Sequence, residues 1–506
     1  MNTKPRHGSF LIIDEIDEQT YNLFRSSKSL KENEMFSPTS LVNYDFLFRD
    51  LVQDKNNLLP ETPEVIKALK ELGAAMKEDI DSPSENTDIP TAYTYLGQFI
   101  DHDITSEATT RQIAETKFES NFFSPIPAND LRHKLKNARS GSLDLDSLYG
   151  GNAAVVNGLF KIGPVSQVGT IPPNKSIQND LPRKPDTQKT AEIGDPRNDE
   201  NLIIAQLHLA FLKFHNAIIK KKNVDFETAK SIVRQHYQWI VIHDFLMRIC
   251  DTNVVNDILQ NGNKWFKPTD DDFFMPVEFS AAAYRFGHSM VRSKYNFNLN
   301  FDGEKQATLQ HLFQFTGLSG DLAGLPTLPQ NWIIEWDFFL PFQTRRNDNA
   351  RKIDTRLTFE LQNLPQGPTP IFQFLAKLNL LRGYLLSLPT GQAAANLVLG
   401  SSKALTSDQI LANANKEEKK ALLNANLHEK TPLWYYILAE ASIQNGGQKL
   451  GLLGSTIVAE TLIGLIRKSE DSILSESSKT EDIDKDFTLE KLILFADLGP
   501  GQAEIQ

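Results

Sequence analysis

Apolar residues recur at every third or fourth position through much of the chain, the spacing of helices with one buried face. Leu202, Ile203, Leu207, Ala210, Phe211 and Phe214 follow it and predict a helix running to about 221. That helix is expected to open within Gly194 to Glu200, with Asp195 as N-cap and Pro196 at the first helical position. Ile232, Tyr237, Ile240, Val241 and Phe245 predict a second long helix over 225–250. Further helices are expected at 38–54, 63–78, 91–104, 278–292, 370–386, 391–400, 405–413, 416–424, 432–445 and 456–467, with a short last one over 487–496. The helix after Glu61 starts cleanly, with Thr62 as N-cap and Pro63 behind it.

A charged helical patch lies around Leu30 to Glu34, 106–190 reads mostly as loop, and 469–486 as a mobile Ser/Asp/Glu/Lys-rich tail. Alternating strand patterns are scarce. The fold class is therefore mostly α, one large helical domain with long loops and little β structure. Residues 1–37 form an irregular N-terminal segment, 38–470 the domain, and 471–506 a tail with a short final helix.

One predicted helix breaks its own apolar pattern. Tyr95-Leu-Gly-Gln-Phe-Ile-Asp-His-Asp-Ile-Thr105 carries an amide, two carboxylates and an imidazole in six residues. At about 100° per residue, Gln98, Asp101 and His102 share a face and Asp103 points away from it. Such groups are costly in a half-buried helix unless something satisfies them. Three other places combine polarity with order: Ser140-Gly-Ser-Leu-Asp-Leu-Asp-Ser-Leu-Tyr-Gly150, Arg197 with Glu200, and Tyr284-Arg-Phe-Gly-His288.

Each has a plain reading. A helical histidine is commonly a hydrogen-bonded core residue. Arg197 and Glu200 could be an exposed ion pair at a helix start. The loop at 140–150 could be an Asx-rich turn. Each also has a sharper one. Ser140, Asp144 and Asp146 alternate as oxygen ligands of a hard cation do, although not at EF-hand spacing. Gly287 before His288 lets a flat group approach the backbone, and Arg285 one turn away could hold a carboxylate.

Composition narrows the function. The net charge of −11 over 506 residues, without a basic run, argues against nucleic acid. Lys220-Lys-Lys222 reads as a solvated helix end. The single cysteine, Cys250, excludes an internal disulfide and reads as inert core. No apolar run approaches the ~20 residues that span a bilayer. The N-terminus has no apolar h-region, so a soluble protein is expected, cytoplasmic or exported by a signal-less route.

Taken together, the four places resemble the animal-type haem peroxidases, the myeloperoxidase and cyclooxygenase superfamily. Gly97-Gln-Phe-Ile-Asp-His-Asp103 is similar to their distal-histidine motif. A calcium loop ending in Tyr-Gly, an Arg-x-x-Glu and an Arg-aromatic-Gly-His follow in the family's order. Leu378-Asn-Leu-Leu-Arg-Gly383, Leu388-Pro-Thr-Gly-Gln392 and Pro432-Leu-Trp-Tyr-Tyr-Ile-Leu-Ala-Glu440 extend the resemblance, especially to bacterial members, across roughly 90–470.

The resemblance implies a haem peroxidase that reduces H2O2 and oxidises a halide, thiocyanate or phenolic donor through a ferryl species. It implies haem b with His288 as proximal iron ligand, Asn379 accepting that imidazole's N–H, and Arg285 on a propionate, with Arg382 also at the haem. His102 would be the distal base, Arg197 the stabiliser of charge as the O–O bond breaks, and Gln98 a hydrogen-bond partner of peroxide or halide. Asp101 and Glu200 match carboxylates that form ester links to haem methyl groups in mammalian members. The residue after Glu200 is Asn201, so the sulfonium link of the strongest halide oxidiser is absent. Asp103, Ser140, Asp144, Asp146 and the Ser142 carbonyl would hold Ca²⁺. Serine at 142 departs from the family's usual aromatic residue.

Two alternatives stand beside this reading. The fatty-acid dioxygenase and cyclooxygenase branches place a tyrosine three residues before the proximal histidine, where this chain has Arg285. Tyr284, one position earlier, reads as core or haem-edge packing. A haem-binding adhesion or interaction protein is weakened by the lack of an Arg-Gly-Asp tripeptide or appended module. Without the resemblance, a helical protein holding a non-haem metal through His102 and Asp103 would remain.

Overall fold

The structure is a computed structural model that describes residues 42–78, 86–106, 117–168, 177–342, 347–364, 370–475 and 484–500. The patch at Leu30 to Glu34 lies outside the described residues. The domain is built from helices: α1 (Pro63–Ala75), α2 (Ala92–Ile104), α3 (Leu202–Lys222), α4 (Phe226–Ile240), α5 (Leu375–Leu385), α6 (Leu433–Asn445) and α7 (Leu452–Lys468), with shorter turns between them. Strands are short. The largest sheet pairs Val42–Asp45 antiparallel with Lys136–Asn137 and parallel with Phe274–Pro276.

Helix α2 is the centre of the site and is fixed by packing. It lies against α3 and against the Ala283–Met290 turn. Phe99 stacks on Phe211 of α3 at 4.6 Å and meets Tyr237 of α4 edge-on at 6.2 Å, contacts worth about 0.5–1.5 kcal/mol each beyond area burial. Helix α3 has 21 residues and is long and apolar enough to cross a membrane, contrary to expectation. It is apolar nearly all round because 78% of its most apolar window is buried inside the domain.

Three expected helices take other forms, in each of which side chains capture backbone donors or acceptors. Over 38–54 the described residues form the strand Val42–Asp45 and a 3₁₀ turn at Leu51–Gln53. The amides of Leu47 and Phe48 donate to the Glu278 carboxylate at 2.8 and 3.1 Å, and Phe46 N to Asp45 at 2.8 Å. Over 278–292 a short α-turn, Val277–Ala281, breaks at Ala282 and continues as a 3₁₀ helix, Ala283–Met290. There the Ser280 carbonyl accepts from Arg285 Nε at 2.9 Å and the Arg285 carbonyl from Trp434 Nε1 at 3.2 Å. At 194–221 Asp195 caps only a 3₁₀ turn, Pro196–Asp199, and Asn201 caps α3 separately by accepting from Ile204 N. The helix expected to run to 250 turns π-helical at Val241–Leu246. Cys250 is fully buried, and burial pushes its thiol pKa up, as inert core requires.

Glu278 is fully buried, so its two amide partners have no water to replace it. Glu278→Ala is expected to lower unfolding stability by about 1–3 kcal/mol, read as a lower urea midpoint. An unchanged midpoint would show that the carboxylate does not hold the 46–48 turn.

Candidate functional site

Every residue of α2 is buried except Gly97, Gln98 and Asp101, which share one side of the helix. Between Ala281 and Met290, Arg285, Gly287 and His288 keep accessible surface while their neighbours are buried. The two segments pack on each other, and a Cβ at Gly287 would meet nothing within 4 Å. Accessible surface on two segments that pack together marks a gap beside α2. Its polar lining is an amide, a carboxylate, a guanidinium and an imidazole. A Cβ at Gly97 would sit 3.3 Å from the Phe245 ring and 4.0 Å from Tyr284 Oη, so this side is closed by aromatics. The Tyr284 hydroxyl is buried and has no hydrogen-bond partner among the described residues.

On the α2 side, His102 is wholly buried. Its Nδ1 lies 2.8 Å from Asn198 Oδ1, and its Nε2 lies 3.6 Å from Glu200 Oε1. An amide oxygen only accepts, so the proton sits on Nδ1 and the Nε2 lone pair turns toward Glu200. Burial, then the nearby Arg197 charge, push its pKa down to about 3, which keeps the ring neutral. Gln98 donates to Glu200 and accepts from Asn201 Nδ2 at 3.0 Å. Burial raises the Glu200 carboxyl to about 8 despite Arg197. Asp101 turns back along the helix and accepts from Thr105 Oγ1 at 2.9 Å; burial raises its pKa also.

Arg197 forms its ion pair with Asp195. Its Nη2 donates to the carbonyls of His102 and Thr105 at 2.9 and 2.7 Å and to Asp195 Oδ2 at 2.6 Å. Arg139 also pairs with Asp195. Burial opposes the charge on Asp195, yet the two guanidinium groups hold its carboxyl well below the usual range.

On the opposite side, the Asn379 amide lies 2.9 Å from His288 Nδ1. Asn379 and Arg382, both on α5, are buried. Burial, with Arg285 and Arg382 nearby, pushes the His288 pKa down to about 3, so it too is neutral. Arg285 Nη1 approaches Asn379 Oδ1 at 3.4 Å. Metal binding through Nε2 needs Nδ1–H donating to the amide oxygen, a half-turn of that amide from its orientation here.

Behind α2, Asp103 is fully buried and accepts from Leu145 N and Ser147 N, both at 3.2 Å. Ser140 N donates to Asp146 at 3.0 Å, Ser140 Oγ to Asp144 at 3.1 Å, and Ser142 N to Ser140 Oγ at 3.2 Å. Leu145 takes a left-handed φ of 61°, which turns its amide to Asp103. Burial, then Asp144 and Asp146, raise the Asp103 pKa strongly; burial and Asp146 raise Asp144 to about 7. Arg234 is a cation beside this loop and donates from Nε to the Asp144 carbonyl at 2.6 Å. No three His, Cys, Asp or Glu side chains among the described residues converge as a ready metal cage.

Sequence reasoning gave Asp195 only as an N-cap and missed Asn198 and Arg139. It also missed Asp199, which anchors Arg183 at 2.7 Å and Gly317 N at 3.0 Å behind the same turn. The Asp195-Pro-Arg-Asn-Asp-Glu200 run held the signal, because four polar residues that cap nothing in a helix must bond elsewhere.

Two neutral imidazoles on either side of a gap, one with an amide at Nδ1 and a basic pair beside it, suit a flat iron-bearing macrocycle with acidic side chains. The model of the family described as animal haem peroxidase matches residues 127–461 of this sequence. The chain belongs to the animal haem peroxidase family, which implies a haem-binding oxidoreductase. The Gly97–Asp103 stretch lies upstream of the matched residues.

A "Peroxidase-like protein" of Margaritifera margaritifera is 27% identical over 252 residues, 40% of this chain and 31% of that one, so the match spans about a third of that relative. Among solved structures, peroxidase A from Dictyostelium discoideum superposes with a TM-score of 0.57 at 16% identity, covering 92% of this chain and 95% of that one. Oryza sativa fatty acid alpha-dioxygenase gives 0.52 at 16% identity, covering 90% and 79%. The Arabidopsis thaliana enzyme gives 0.52 at 13%, covering 90% and 74%. These likenesses establish the fold.

Removing the charge of Asp195 leaves Arg139 and Arg197 uncompensated. Asp195→Asn is expected to cost about 3–5 kcal/mol at neutral pH. The wild-type carboxyl has a depressed folded pKa, so its contribution is present above the unfolded value of about 4 and is lost as pH falls toward the folded value. The gap between wild type and variant in urea melts should therefore narrow below pH ~4; a pH-independent gap would contradict the charge argument.

Proposed function

We propose that the protein is a haem-dependent peroxidase that reduces H2O2 and oxidises small donors such as halide, thiocyanate or phenols. The observation that carries it is the setting of His102: a neutral, buried imidazole with its proton fixed on Nδ1, beside a gap whose far side holds His288. That is the form a proton acceptor for peroxide must have.

In this reading His288 would hold the iron, Asn379 would orient the His288 ring, and Arg285 and Arg382 would meet the macrocycle's carboxylates. His102 Nε2 takes the proton of peroxide and returns it to the departing oxygen. Arg197, clamped by Asp195, supplies a fixed positive charge behind His102 while that oxygen becomes negative. Gln98 offers its amide to peroxide or a halide. Haem held there would supply a redox-active iron able to exchange electrons with peroxide and with small donors. Asp101 and Glu200 border the gap as the carboxyls available for ester links.

The acidic loop is the place for Ca²⁺. Asp103, Ser140, Asp144, Asp146 and the Ser142 carbonyl supply oxygen ligands, and a divalent ion would offset the burial and the mutual repulsion that together raise Asp103 and Asp144. Chelation with EGTA is expected to lower Tm and slow the peroxide reaction, with recovery on adding Ca²⁺. A Tm indifferent to EGTA in a calcium-depleted preparation would remove the ion.

A fatty-acid dioxygenase is the second reading. It draws on the buried hydroxyl of Tyr284 beside Gly97, without a hydrogen-bond partner among the described residues, and on the alpha-dioxygenase neighbours. Oxygen uptake with a long-chain fatty acid that vanishes in Tyr284→Phe would favour it. Phenol or iodide oxidation driven by H2O2, unaffected by that substitution, favours the peroxidase. Purified protein that carries haem but does neither would indicate an interaction protein.

His288→Ala is expected to lose haem retention, and a pyridine haemochrome assay at wild-type stoichiometry would contradict the ligand. His102→Ala should keep haem but slow its stopped-flow reaction with H2O2 by ~10²-fold or more. A rate equal to wild type would dismiss His102 as the base.

A further inference from the structure

Asn198 does more than touch His102. Its Oδ1 faces His102 Nδ1 at 2.8 Å, and its Nδ2 lies 2.9 Å from Nδ1 of His208, on the second turn of α3. All three side chains are fully buried. The amide has one accepting end and one donating end, so it reads the two rings in opposite senses. The oxygen requires a proton on His102 Nδ1. The NH₂ group requires a bare Nδ1 on His208, whose own proton is then on Nε2. That Nε2 is buried and finds no hydrogen-bond partner among the described residues, with the Phe99 ring edge-on at 6.0 Å.

An imidazole with an orphaned donor is a poor choice for an apolar core, where a leucine would pack at no such cost. What histidine offers at 208 is an sp² nitrogen that accepts from Asn198 Nδ2. That acceptor gives the amide its direction: were the amide reversed, its NH₂ would donate to His102 Nδ1 and leave a proton on His102 Nε2, where a base needs a lone pair.

We propose that Asn198 and His208 are positioning residues that fix His102 in its Nδ1–H tautomer and aim the Nε2 lone pair toward Glu200 at the edge of the gap. Asn198 sets the tautomer and His208 sets the direction of Asn198. The inference rests on the reading of His102 as the proton acceptor beside the iron. His208 never meets the reacting atoms and acts through two hydrogen bonds. It rides on α3, whose packing against α2 through Phe99 and Phe211 keeps the chain of three in register.

The test uses the haem-loaded protein and cyanide association to its ferric iron, followed by stopped-flow. Hydrogen cyanide gives up its proton as it binds, so the rate reports the acceptor facing the iron without needing a donor substrate. Asn198→Ala is expected to slow association by about 10–100-fold with haem content kept. Asn198→Asp, whose oxygen still accepts from His102 Nδ1, should recover most of that loss. His208→Leu should slow association by about 10-fold, and His208→Gln, whose amide oxygen can accept from Asn198, should recover most of it.

Asn198→Ala at the wild-type rate would overturn the proposal. So would Asn198→Asp as slow as Asn198→Ala, or His208→Gln no faster than His208→Leu, since a space-filling role predicts both. If His102→Ala takes up cyanide as fast as wild type, His102 is not the acceptor and both readings fall. A wild-type protein fast with cyanide but inert to H2O2 would overturn the peroxidase reading and support the positioning one.

Discussion

The Asp195–Arg197 clamp is the constraint on which the site depends. A helix ends with carbonyls that have no intrahelical partner and with a partial negative charge. Arg197 meets two carbonyls at the end of α2, those of His102 and Thr105, with one nitrogen. Asp195 and Arg139 make that guanidinium affordable in the interior. Because Arg197 belongs to the same short turn as Asn198 and Glu200, pinning it to α2 delivers both of them to His102. The carboxylate that caps the turn therefore sets the geometry of the imidazole without touching it.

The other side of α2 is held by opposite means. Asp103 enters a loop already carrying Asp144 and Asp146, where it accepts from the backbone amides of Leu145 and Ser147. One residue separates the arginine-rich side from the carboxylate-rich side, so the last turn of α2 sits between an excess of positive charge and an excess of negative charge. Rotation of that turn would be opposed from both directions.

Legibility from sequence followed the range of the interactions involved. Helix α2 was expected at 91–104 and spans Ala92–Ile104, because its apolar spacing and its interrupted polar face are local signals. The motifs around His102, Arg197 and His288 could be read because each is short. The turn at 46–48 could not, since its amides bond to Glu278, more than 200 residues away. The 3₁₀ form of 283–290 depends on Trp434, also remote in sequence. Asn198 was passed over because an asparagine in a polar run has many ordinary uses, and only α3 brings His208 beneath it.

Helix α3 has a consequence for how the protein is made. A segment that meets the length and hydropathy of a membrane span, yet ends in the middle of a folded domain, is safe only once enclosed. Its wrapping comes from α2, α4 and the short Leu489–Phe495 helix, the last of which lies at the far end of the chain. During synthesis α3 emerges long before that final piece, so for part of its life the chain carries a sticky, unshielded rod. Chaperone dependence, and loss of soluble yield on truncating the C-terminal helix, would be the cost of building the site on so apolar a spine.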